Sequence, residues 1–283
     1  MPNLPFQPIL GVPVTAMPFQ SQVQVIGDWA QQQQSRFVCV ANVHMLVEAH
    51  WQPKFATVLQ QADAVTPDGM PLVWMLKALG MKQPERVAGM DLFLALCKHA
   101  EENQVSVYFL GSQPEILKRM AERLGRMFPH LNIAGMESPP FRPPTEAERR
   151  ATLRTIRESG AGLVFVSLGC PKQEQWMSQN CSEVPAVLVG VGGVFPVFAG
   201  IQKRAPSWMR NWGLEWLFRW AQEPQRLCKR YLTTNSMFLY LVTRQLGRHC
   251  WRSISGKPRE VRRQPSLPPV ERVGAIAAQQ SSH

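Results

Sequence analysis

The chain has 283 residues, is 45% hydrophobic, and carries a formal net charge of +11 from 31 Lys and Arg against 20 Asp and Glu. The apolar share is that of a folded protein and excludes a wholly disordered chain, and the length holds one large domain or two small ones. The charge asks for an anionic partner: nucleic acid, a phosphorylated small molecule, or an acidic membrane surface.

Residues 1–20 contain no Lys or Arg and are rich in Pro and Gln. They read as an extended lead-in rather than a secretory signal. Residues 23–26 read as an edge strand or a helix start. Residues 37–41 (Phe-Val-Cys-Val-Ala) are continuously apolar, as expected of a strand buried on both faces, and they end at Asn42 before a helix reaching residue 49. A helix over 54–61 follows. A strand over 63–66 then enters Pro67-Asp68-Gly69, and a helix begins at Met70. Asp68 has two readings here: a carboxylate at the ligand-binding edge of a sheet, or the N-cap of the next helix.

Residues 91–102 read as a helix in which His99 lies on the apolar face. Residues 105–111 form a strand that turns at Gly111 into a helix with Pro114 in its first turn. A strand over 131–136 and a Pro-rich loop over 137–144 come next. Thr145 with Glu148 has the spacing of a capping box. Residues 163–169 form another buried strand, a helix starts near Pro171, and residues 186–191 are the last strand. The uncharged run 184–201 is near the minimum length of a membrane span, but its four glycines and two prolines favour a buried strand and turn. This alternation predicts an α/β fold: a Rossmann-like, mostly parallel sheet over residues 1–202 with helices on both faces.

From Lys203 to Arg252 there are ten Lys and Arg against two Glu. Trp208, Trp212, Trp216 and Trp220 recur every fourth residue, which on one helix makes an indole stripe. Residues 236–246 read as a second apolar helix. Residues 203–252 are therefore expected to form a basic, Trp-rich, membrane-facing helical appendage, and residues 253–283 a disordered tail.

Three polar strand ends share one predicted edge: Asn42, Asp68 and the turn Gly169-Cys170-Pro171-Lys172-Gln173-Glu174. Amides orient sugar hydroxyls by donating and accepting together, and a lone carboxylate serves as general base toward a hydroxyl. Each of Asn42 and Gln173 also suits an ordinary turn-stabilising role. Gly111 and Gly192 stand at strand ends that suit close backbone approach to a ligand or, for Gly192 equally, a tight turn under packing, and no Walker or dinucleotide pattern surrounds them. Arg219, Arg226, Lys229 and Arg230 are placed to grip a diphosphate. Neither the histidines nor the scattered cysteines (Cys39, Cys97, Cys170, Cys181, Cys228, Cys250) have metal-ligand spacing, and the cysteines fit reduced thiols.

These segments, with Glu85-Arg86-Val87-Ala88-Gly89-Met90-Asp91-Leu92, Leu168 through Glu174, Gly190-Val191-Gly192-Gly193-Val194-Phe195, Arg204-Ala205-Pro206, Glu215 through Arg219 and Glu223 through Tyr231, resemble the WecG/TagA/CpsF glycosyltransferases over roughly residues 8–235. The resemblance implies a metal-independent, inverting transferase with no cofactor, serving cell-surface polysaccharide synthesis. A UDP-sugar would donate an N-acetylmannosamine-, mannosaminuronate- or hexose-type sugar to an undecaprenyl-diphosphate-linked acceptor. The enzyme would be peripheral at the cytoplasmic face of the inner membrane and bind no nucleic acid, with a homo-oligomer left open. Asp68 would be the general base, Asn42 and Gln173 would position sugar hydroxyls, and Arg219, Arg226 and the basic residue at 229 would hold the lipid diphosphate. The sequence departs from the family pattern at Val40, where Thr is usual, and at Pro196, where Asp is usual. Two other readings stay open: nucleic-acid binding through the basic tryptophan-rich segment, and a non-catalytic family member.

Overall fold

A computed structural model describes residues 4–140 and 142–254, without the side chains of 211, 226, 229, 230 and 252–254. The expectations for the side chains of Arg226, Lys229 and Arg230, and for the tail beyond 254, lie outside the described residues. The central sheet comprises β3 (Arg36–Ala41), β4 (Ala64–Pro67), β5 (Val107–Gly111), β6 (Ile133–Glu137), β7 (Leu163–Ser167) and β8 (Val187–Gly190). Their spatial order is β4-β3-β8-β7-β5-β6, and every neighbouring pair is parallel. Parallel pairing needs crossovers that cover both faces, which is why these strands read as unbroken apolar runs.

One face is covered by α2 (Val43–Trp51), α3 (Pro53–Gln61), α4 (Met70–Ala78), α7 (Glu146–Glu158) and α8 (Lys172–Asn180). The other is covered by α1 (Phe19–Gln31), α5 (Gly89–Glu102), α6 (Pro114–Met127) and the short α9 (Val194–Phe198). On this second face Phe93, Phe109, Phe165, Phe195 and Phe198 form one aromatic cluster; the Phe109 and Phe165 rings stack at 5.7 Å. Each such pair adds roughly 0.5–1.5 kcal/mol beyond its buried area. The Thr145–Glu148 capping box at the start of α7 forms as the sequence predicts.

Two stretches differ from expectation. The lead-in is a β-hairpin, β1 (Phe6–Ile9) with β2 (Val12–Thr15), turned by Leu10 and Gly11 at positive φ. It is held to the core because Val12 and Val14 are buried and Thr15 Oγ1 accepts the Val65 N–H at 3.1 Å. The segment around residues 23–26 resolves as the interior of α1, with Val23 and Ile26 buried.

The C-terminal segment is α10 (Ser207–Asn211), α11 (Glu215–Gln222) and α12 (Pro224–Ile254). The apolar stretch 236–246 lies inside the 31-residue α12 rather than forming a helix of its own. The four tryptophans do not share one helix either. Gly213, at φ +72, turns the chain between α10 and α11, so Trp208 and Trp212 precede the turn and Trp216 and Trp220 follow it. A side chain at 213 would need that left-handed backbone and would also meet Met70 Cβ at 3.0 Å. All four indoles are exposed. Farther along, Phe238 and Val242 enter the core, and α12 packs along α2. Gln245 accepts the Leu10 N–H at 3.0 Å and donates to Pro8 O at 2.8 Å, clamping α12 to the β-hairpin. No helix among the described residues is long and apolar enough to cross a membrane.

Candidate active site

The parallel sheet brings the C-terminal ends of β3, β4, β5, β7 and β8 to one edge, and β8 returns beside β3 while β4 lies on β3's other side. A sheet of this kind opens a crevice outside those ends. Asp68 stands at this edge, directly after β4. Its backbone N–H donates to Ala41 O at 2.7 Å, and Val87 N–H donates to Pro67 O at 2.8 Å, fixing the strand end from both sides. The capping reading of Asp68 does not hold. The N-cap of α4 is Gly69, with no side-chain cap bond. The residue as a whole is half-buried.

Around Asp68 lies a charge cluster joining core and C-terminal segment. Asp91, in the first turn of α5, pairs with Arg204, with Arg86 at 3.5 Å and with Arg210 at 3.6 Å. Glu215, at the start of α11, pairs with Arg86 at 3.5 Å and Arg219 at 3.2 Å. Four guanidiniums against these two carboxylates leave the cluster with two more positive than negative charges, and of the four Arg86 and Arg219 act on Asp68. Burial nonetheless lifts Asp68 from the ordinary carboxylate range to about 7, helped by Glu215 and, less, by Asp91; Arg219 and Arg86 pull the other way. Desolvation wins because a charged carboxyl loses water here without gaining a direct cationic partner. An acid titrating near 7 with nothing hydrogen-bonded to its oxygens among the described residues is poised to exchange protons.

Asp91 is thus the hub that ties α10 to α5. Asp91→Asn should lower stability by about 1–2 kcal/mol, between the values for exposed and buried pairs. It should also speed limited proteolysis between residues 199 and 215, measured against denaturant unfolding of the same variant.

The polar residues singled out from sequence each make local contacts. Asn42 caps α2, its Oδ1 accepting Met45 N–H at 3.1 Å, so only its amide nitrogen is uncommitted among the described contacts. Gln173 is buried. Its Oε1 accepts Gly192 N–H at 3.1 Å and its Nε2 donates to Glu174 at 2.6 Å. Ser167 Oγ donates to Gly192 O at 2.6 Å, so both backbone groups of Gly192 are held. Gln173 therefore shapes the turn after β8 from beneath. Glu174 is fully buried, and desolvation lifts it to about 7. Gly111, at φ +119, packs so closely on β7 that a Cβ would lie 2.4 Å from Ser167 O; here glycine serves strand packing at the site's edge. Val40 is buried against Gly89, so its missing hydroxyl leaves an apolar wall. Among the described residues no set of three His, Cys, Asp or Glu converges to hold a metal.

Arg86, Asp91, Arg204, Arg210 and Glu215 carried no assigned role in the sequence reading, although all but Arg210 lie in the motif segments. For the other four, residence there is the only signal, because the pairs Arg86–Glu215 and Arg204–Asp91 each span more than a hundred residues.

An open parallel α/β sheet with a near-neutral carboxyl and an arginine-rich cluster at its carboxyl edge defines a site for an oxygen-rich, anionic substrate. Comparison with known proteins narrows that class. Residues 7–250 match the model of the "Glycosyl transferase WecG/TagA/CpsF family". The chain is also 35% identical over 199 residues to an N-acetylglucosaminyldiphosphoundecaprenol N-acetyl-beta-D-mannosaminyltransferase of Bacillus spizizenii, an overlap of 70% of this chain and 76% of that one. The chain belongs to the WecG/TagA/CpsF family and is a glycosyltransferase.

Proposed function

We propose that the protein moves an N-acetylmannosamine-type sugar from a UDP-sugar to a sugar borne on a polyprenyl diphosphate, in one inverting step with Asp68 as general base. The observation that carries this is a carboxylate directly after β4 at the carboxyl edge of the sheet, beside Arg86 of the core and Arg219 of the C-terminal segment, both paired to Glu215; burial pushes that carboxyl up to about 7. Asp68 accepts the proton of the acceptor hydroxyl while that oxygen forms a bond to the sugar's anomeric carbon. The anomeric carbon–oxygen bond breaks on the opposite face, and its electron pair leaves with UDP. The excess positive charge of the cluster stabilises the departing diphosphate, as oriented cations do for developing anions. Arg219 lies where it serves either the leaving group or the lipid diphosphate; Arg226, Lys229 and Arg230 are proposed for the latter.

The exposed indoles of Trp208, Trp212, Trp216 and Trp220, in a strongly basic segment, support peripheral attachment to the membrane that carries such an acceptor. Truncation at residue 203 is a poor test of attachment, because Phe238 and Val242 are core residues.

The test of the reaction is UDP release, measured for several UDP-sugars with and without a short-chain polyprenyl-diphosphate-linked N-acetylglucosamine. One donor should give acceptor-dependent release and a disaccharide product. If every donor releases UDP at the same rate without acceptor, or none releases it at all, the assignment fails.

A further inference from the structure

We infer that α4 of the sheet domain provides a further membrane contact, centred on Trp74 and continuous with Trp212 of the C-terminal segment; this rests on the membrane reading above. Trp74 is a large aromatic on an otherwise ordinary core helix. Leu72, Val73, Met75 and Leu76 around it are buried, yet Trp74 is 54% exposed. Four apolar residues of this helix pack inward while the indole between them turns outward with most of its face uncovered by the described residues.

Its placement gives the partner. A Cβ on Gly213 would lie 3.7 Å from the far edge of the Trp74 ring, so the indole lies beside the α10–α11 turn. Trp212, the residue before that glycine, is 74% exposed. The two indoles therefore border one surface although 138 positions separate them. Lys77, one turn beyond Trp74, and Lys82 are exposed on the same stretch. Aromatic rings with a basic rim are the composition that settles at the headgroup level of an anionic bilayer. The net charge of +11 supplies the complementary long-range attraction.

The same placement bears on catalysis. Asp68 precedes α4 by two residues, and Glu215 and Arg219, which tune it, follow the Gly213 turn on α11. A bilayer touching Trp74 and Trp212 together would hold the mouth of the Asp68 crevice at headgroup depth. A diphosphate anchored in the membrane then reaches the arginines without its prenyl chain leaving the lipid.

The test uses the full chain and vesicles of phosphatidylcholine with phosphatidylglycerol. Trp74→Glu should weaken vesicle binding by about tenfold, as should Trp212→Glu. Trp51→Glu, at the far end of α2, should leave binding unchanged. Trp74→Glu should also slow transfer to vesicle-embedded acceptor while sparing transfer to a water-soluble short-chain acceptor. Should Trp74→Glu fold poorly, Trp74→Ser should reproduce the loss and Trp74→Tyr should restore most of the binding. Wild-type sedimentation of the Trp74 variants with impaired Trp212→Glu overturns the α4 contact alone. Wild-type sedimentation of both sets overturns the membrane reading itself.

Discussion

Asp68→Asn should give a folded protein that still binds its UDP-sugar and transfers almost none of it. Three physical points fix this expectation. The substitution keeps shape and one acceptor oxygen but removes the proton-accepting charge, and loss of a positioned general base costs on the order of 10²–10⁴ in rate. The fold is not at risk, because the carboxyl makes no side-chain hydrogen bond among the described residues and is about half neutral at pH 7. Replacing a group that is costly to ionise with a neutral amide should therefore leave stability at pH 7 unchanged or raised. Donor affinity should survive because the surrounding arginines remain paired with Asp91 and Glu215. Initial rates of disaccharide formation, beside calorimetric titration of the donor and a denaturant melt, separate these points. Transfer at the wild-type rate by the purified variant would remove Asp68 from the chemistry.

The parts of the structure that could be read from sequence are those set by local pattern. Residues 37–41 and 163–167 are apolar throughout because both sheet faces are covered, and Thr145 with Glu148 announces its own helix. The β1–β2 hairpin was hidden because Pro8 and Pro13 discourage a strand reading and Leu10-Gly11 is not a common two-residue turn pair. The tryptophan period suggested one helix, but a single residue, Gly213, carries a backbone angle that spacing does not encode. The site divides the same way. Asp68 is visible as a carboxylate after an apolar strand. The ring that sets its proton affinity is not, since Arg86 meets Glu215 only after folding has brought 129 residues of chain around. Gln173 is legible only in part: its residue type is visible in the sequence, but its burial and its bonds to Gly192 and Glu174 are not.

The pH dependence of turnover follows from that ring. A base works in its ionised form, so the rate should rise with pH through about 7 and level off above it. Glu215 is the largest charge holding that value up, and Arg219 and Arg86 oppose it. Glu215→Gln removes the first and leaves the arginines opposed by Asp91 alone among the named charges, so the rising limb should move to lower pH and the rate at pH 6 should increase relative to the plateau. Arg219→Gln should move the limb the other way and also raise the KM for the lipid acceptor, which a change in proton affinity alone would not do. The linked effect on stability runs opposite to activity. With its folded-state value above the 3.8 of an ordinary aspartate, Asp68 binds more protons folded than unfolded between those two values, so its contribution to stability falls as pH rises through that window. Activity gained above pH 6 is therefore accompanied by lost stability from the same carboxyl. Asp68→Asn should flatten this part of the pH–stability curve while abolishing the pH–rate curve, and measuring both on one preparation tests whether a single group is responsible for the two.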